Sequence, residues 1–89
     1  MSMNSSFSSG PLTSDTLLFN GATYLKSVVL GVGANLNLYD NTSGTGKLIF
    51  AFDNTTGTLP VFVDFSHMVQ AKNGLFADVV AGTVFVYYG

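Results

Sequence analysis

The 89-residue chain contains no cysteine, no tryptophan, no glutamate and no arginine. Without cysteine there is neither a disulfide framework nor a thiolate zinc site, and the redox compartment is left open. Without arginine, three lysines (Lys26, Lys47, Lys72) stand against five aspartates (Asp15, Asp40, Asp53, Asp64, Asp78), for a formal charge of −2. That balance cannot form the basic stripe that neutralises several phosphates, so no nucleic-acid partner is expected. Long apolar runs are missing too: nothing approaches the ~20 residues of a membrane-spanning helix. No Lys or Arg precedes the first apolar cluster, Leu17-Leu18-Phe19, as it would in a secretory signal, and no membrane partner is expected.

What is present is apolar. Hydrophobic residues make up 47% of the chain and aromatics 13%, while charged residues reach only 9%, against about 25% in an average soluble domain. Either Asn, Ser and Thr wet this surface or another protein covers much of it. The length suits one domain, which at this size buries about 60–65% of the surface its unfolded chain exposes.

Residues 1–14 are Ser-rich, contain Gly10-Pro11 and offer few apolar anchors, the composition of a mobile N-terminal arm. An arm that orders on a neighbouring subunit, anchored by Phe7 and Leu12, is the functional alternative. From Asp15 to Gly89 the chain reads as a single domain of short β-rich runs between Gly, Asn, Asp and Thr breakers. Seven strands are expected, over 16–19, 22–32, 34–39, 47–52, 59–65, 75–80 and 83–88, with Ala81-Gly82 as a two-residue hairpin turn. Tyr24, Lys26, Val28, Leu30 and Val32 share one predicted face. Leu36 and Leu38 share another, as do Leu48, Phe50 and Phe52, and Val61, Val63 and Phe65. Pro60 cannot donate to a ladder and marks a strand start or an edge. The fold class is all-β, a small antiparallel β-sandwich or barrel.

Three runs are apolar on both sides: Val28-Val29-Leu30, Val61-Phe62-Val63 and Val84-Phe85-Val86-Tyr87-Tyr88. A sandwich strand has one face toward the core and one toward water, so a second apolar face implies a cover. Interfaces concentrate aromatics and shed charge. Phe7, Leu12, Phe62, Phe85, Tyr87 and Tyr88 are therefore the candidate interface residues of a homo-oligomer, with a trimer favoured.

Signs of chemistry are sparse. Asp40-Asn41-Thr42-Ser43-Gly44-Thr45 and Asp53-Asn54-Thr55-Thr56-Gly57-Thr58 repeat one pattern thirteen positions apart. Asp and Asn close turns onto their own backbone and Gly accepts positive φ, so turn chemistry explains the repeat. A calcium site needs several converging carboxylates, and each loop has one. Were the neighbouring strands a meander, the two loops would lie at opposite ends of the sheet. Gly44-Thr45-Gly46-Lys47 lacks the first glycine, the following Ser/Thr and the helix of a phosphate loop, and Gly31-Val32-Gly33 lacks the rest of a dinucleotide fingerprint. Asn-x-Ser/Thr triplets at Asn4, Asn41 and Asn54 follow from composition. His67 is the sole histidine and could pair at most with Asp64, with no evident nucleophile. No catalytic residue, cofactor or metal ligand is assigned.

The stretch Gly21-Ala22-Thr23-Tyr24-Leu25-Lys26-Ser27-Val28-Val29-Leu30, then Leu38-Tyr39-Asp40-Asn41 with its Ser-Gly-Thr-Gly loop, resembles small structural proteins of tailed-phage virions. So does the closing Asn73-Gly74-Leu75-Phe76-Ala77-Asp78-Val79 with Val84-Phe85-Val86-Tyr87-Tyr88. The likeness spans residues 21–88 and rests on turn and strand patterns. It implies a compact β-sandwich in the virion with no active site to carry over. The expected role is a non-enzymatic capsid decoration (cement) subunit on the capsid surface, partnered by the major capsid or another virion protein. A small tail or fibre component, or a host-glycan-binding knob, is the alternative.

Overall fold

The computed structural model describes residues 7–89. They form β1 (Phe7–Ser8), β2 (Thr16–Asn20), β3 (Thr23–Leu30), β4 (Asn35–Asp40), β5 (Lys47–Asp53), β6 (Val61–Ala71), β7 (Gly74–Ala81) and β8 (Val84–Tyr88). Two antiparallel four-stranded sheets result, ordered β1-β8-β3-β6 and β2-β7-β4-β5. Only β4 and β5 are joined as a hairpin; every other connection crosses from one sheet to the other. This strand order is that of an eight-stranded jelly roll, a form of β-sandwich. The shortest dimension, 20 Å, fits two sheets packed about 10 Å apart with side chains on both outer faces.

All seven expected strands are present, and the connections bring corrections. Ala81-Gly82 is not a hairpin, because β7 and β8 belong to different sheets and the dipeptide carries the chain between them. The β4, β5 and β6 segments are not a meander, since β6 lies in the opposite sheet. The β4–β5 loop and the loop after Asp53 nevertheless leave opposite ends of β5. Pro60 does precede an edge strand, and β6 runs six residues past its expected end at Phe65.

The expected arm departs most from the structure. Its first six residues, with the Asn4 triplet, lie outside the described residues. From Phe7 onward the segment straps the free edge of β8. Phe7 pairs with Tyr88 and Ser8 with Tyr87. The Ser9 amide donates to Val86 O at 2.9 Å, and the Val86 amide donates to Ser9 Oγ at 2.9 Å. Leu12 and Val84 then exchange amide bonds at 2.8 and 3.0 Å. Leu12 is consequently a core residue, only 8% exposed, and cannot anchor a neighbour as proposed from sequence. Covering a β8 edge that would otherwise present unpaired amides is the physical reason.

The core is aliphatic. Leu25, Val28, Leu30, Val84 and Val86 meet Leu36, Leu38, Leu75, Ala77 and Val79 from the other sheet, and none of the eight Phe or four Tyr is buried. A layer of Leu, Val and Ala fills the centre of the gap between the sheets, and Phe50 of β5 and Phe65 of β6, half-buried and edge to face at 5.4 Å, close it at one margin. Parity holds in β4, where Leu36 and Leu38 point in and Asn35, Asn37 and Tyr39 point out. It fails in β3, where a register shift between Leu25 and Ser27 inserts Lys26. Leu25, not Tyr24, then faces inward with Val28 and Leu30. Val32 lies beyond the strand and is exposed.

Candidate functional site

The three runs that are apolar on both sides become neighbours in one sheet, β8-β3-β6. Their register aligns their outward residues: Val29 stands opposite Phe62 on one side and opposite Phe85 on the other. A transverse row Phe62–Val29–Phe85 therefore crosses the outer face, with Phe62 66% exposed and the other two half-buried. The adjacent row is Asp64–Ser27–Tyr87–Ser8. Phe7 and Tyr88 pair on the inner side of the same sheet, at its margin, where Tyr88 packs against the core. Their ring centroids are 5.9 Å apart, Phe19 of β2 lies 6.5 Å from Tyr88, and the Tyr88 hydroxyl donates to Leu18 O at 3.3 Å. Of the six sequence candidates, Phe62, Phe85 and Tyr87 thus share the outer face, Phe7 and Tyr88 lie on the opposite side of the sheet at its margin, and Leu12 is in the core.

The opposite face has a row that sequence reasoning missed. Leu17, Phe76, Tyr39 and Leu48 are successive cross-strand partners over β2, β7, β4 and β5. The shift between Leu38 and Tyr39 hid it. That shift leaves Ile49 over in β5, so Ile49 and Phe50 both pack on the core and Leu48 turns outward, away from Phe50. Beside this row the face is polar: Asp78, Asn37 and Ala51 align, and Asn37 Nδ2 donates to Asp78 Oδ2 at 3.4 Å.

The sheet edges, by contrast, are broken. β2 is shifted between Leu17 and Phe19, and β5 carries the extra Ile49. β6 places Phe65 to Met68 opposite the single residue Lys26. β1 has two residues. Short and bulged edges oppose strand addition.

The polar repeat is structural, and its two copies exchange roles. In the first copy Asp40 turns inward, 7% exposed, and accepts the Asn73 amide at 2.8 Å in the β6–β7 turn. Asn41 closes its own loop, accepting from the Thr42 amide and donating to Thr45 O, both at 2.8 Å. In the second copy Asp53 closes the turn, accepting from Thr55 N and Oγ1 at 2.9 and 2.6 Å, while Asn54 turns inward. Asp40 continues the inward series Leu36, Leu38 of β4, whereas Asp53 stands opposite the outward Asn35, so in the second copy the next residue, Asn54, takes the inward position.

The Asn73 amide, helped by those of Lys72 and Gly74 and by the charge of Lys47, holds the Asp40 carboxyl below the usual value; burial opposes this. Thr55 does the same for exposed Asp53. A carboxylate with a lowered folded pKa stabilises the fold above its unfolded value of about 3.9 and loses that contribution as pH falls through the folded pKa. Asp40→Asn should therefore flatten the dependence of stability on pH below about 4, as read by urea unfolding at a series of pH values. A variant slope equal to that of the wild type would refute the assignment.

No acid–base pair forms at His67: among the described residues Asp64 and His67 share no hydrogen bond, and His67 sits exposed in the β6 irregularity. Among the described residues no three His, Asp, Glu or Cys side chains converge to hold a metal ion. The feature left for function is a pair of apolar rows on opposite outer faces. Compared with known proteins, the chain matches no family model, no curated protein and no solved structure.

Proposed function

We propose that this chain is a non-enzymatic structural subunit of a tailed-phage virion, a capsid decoration protein that stabilises the head through contacts with its own copies and with the major capsid protein. One observation carries the reading: none of the Phe and Tyr residues is fully buried, and Phe62, Phe85 and Tyr87 on one outer face and Phe76 and Tyr39 on the other fall in transverse rows. Large aromatic side chains supply most of the burial energy at protein interfaces. A thin module with broken edges and an apolar row on each broad face suits a position between neighbours. The jelly roll itself serves capsid and lectin domains alike, so the surface argues the function and the fold does not.

Purified protein mixed with empty phage shells should bind saturably and raise the shell melting temperature. Absence of shell binding, with binding on a glycan array, would replace this reading with the host-glycan-binding knob.

A further inference from the structure

We infer that the outer face of the β1-β8-β3-β6 sheet is where a second copy of this chain docks, the same face meeting on both partners. The inference rests on reading the apolar faces as interfaces and names the occupant of one of them.

Area is the first argument. A stable pair hides about 800 Å² on each partner. The molecule measures 35 × 33 × 20 Å, so a broad face offers roughly 1,100 Å² in outline and a narrow side about 700 Å² at most, short of that standard. The narrow sides also carry the broken edges, which removes strand addition as a route.

Charge then selects between the two broad faces. In a symmetric pair every ionised group of the face is present twice. The β2-β7-β4-β5 face holds Asp78 and Asp53 among its outward residues, so self-docking there would bring four carboxylates together. On the β1-β8-β3-β6 face Asp64 stands next to Phe62, and half-buried Lys26 occupies the neighbouring irregularity of β3. That is one charge of each sign, side by side because Asp64 stands opposite Ser27, and the neighbouring row Phe62–Val29–Phe85 carries none. Like charges brought together oppose association, and mixed charges beside an apolar row permit it.

Face-to-face contact about a twofold axis is isologous and closes as a pair. Three copies would need a different, heterologous contact. The pair replaces the trimer favoured from composition.

Sedimentation equilibrium of the full chain between about 1 and 100 µM should give twice the monomer mass, a concentration window suited to a small interface. Phe62→Asp should weaken the pair by at least about 100-fold, as expected for a charge placed in an interface core. Phe62 is 66% exposed, so this variant keeps the core intact, and its far-UV dichroism and thermal midpoint should match the wild type. Val29→Asp should act likewise, and Leu48→Asp on the opposite face should leave the mass unchanged. A monomer throughout the range, a mass of three chains, a pair surviving Phe62→Asp, or one dissolved by Leu48→Asp would each overturn the inference. A pair that leaves shells unbound removes the decoration role alone; a monomer that stabilises shells removes the pair alone.

Discussion

Asn54→Ala should lower the thermal midpoint by about 10–20 °C, a loss of about 2–3 kcal/mol in a domain of this size. Asn54 is 5% exposed, and its Nδ2 donates to Gly31 O and to Leu59 O, both at 3.1 Å. Its backbone adds three more bonds: its amide to Ala34 O at 2.7 Å, and its carbonyl from the Gly33 and Gly57 amides at 3.2 and 3.1 Å. One residue thus ties the β3–β4 connection to the β5–β6 connection. Alanine keeps the backbone bonds but removes both bonds of a buried side chain, leaving Gly31 O with the Ala34 amide alone and untying Leu59 O. Asn54→Asp should be worse, about 3–5 kcal/mol, because it turns a carboxylate oxygen toward those carbonyls and encloses a charge. Urea unfolding of the three proteins at pH 7 gives the order. An alanine variant within about 3 °C of wild type would contradict the tie.

Gly82→Val should be at least as damaging. Gly82 has φ +73°, and a Cβ there would lie 2.6 Å from Ala34 Cα and 2.9 Å from Ala34 N. A side chain at positive φ costs about 1–2 kcal/mol, and overlap with a backbone atom of a fully buried residue adds about 1–3 kcal/mol. A total of about 2–5 kcal/mol is, at its upper end, close to the whole stability of a small domain. Gly33→Ala separates the two terms, since Gly33 has φ +85° with open space around it. It should lose only the conformational part, about 1 kcal/mol. Equal losses at the two positions would show that the contact with Ala34 contributes nothing.

These two sites mark the limits of what the residues alone disclose. The strands and the double-sided apolar runs were legible, because β-rich segments between Gly, Asn and Asp carry a period-two signal. Their gathering into one sheet was not. Local pattern says nothing about which strands cross between sheets, and Ala81-Gly82 carries the turn residues of a hairpin while serving a crossing. Faces were legible only up to the first register shift. Lys26 and Ile49 each add one residue and reverse the parity beyond it, which moved Tyr24 and Leu48 to the outside. The inward turn of Asn54 was hidden for a related reason, since the repeat reads as two equal loops until the alternation of β5 is known. Leu12 was misplaced because a Ser-rich segment shows little tendency to order, whereas its order here comes from the exposed edge of β8.

The connectivity of the jelly roll also governs how the chain reaches this state. With β4–β5 as its only hairpin, neither sheet can be completed before the other has begun to form. Pairing strands far apart in the chain, β1 and β3 with β8 above all, precedes the burial that rewards it, which places folding in the millisecond-to-second range common to β-sandwiches. Among the described strands, β4 and β5 alone pair across a short connection; every other pairing waits on residues distant in the chain.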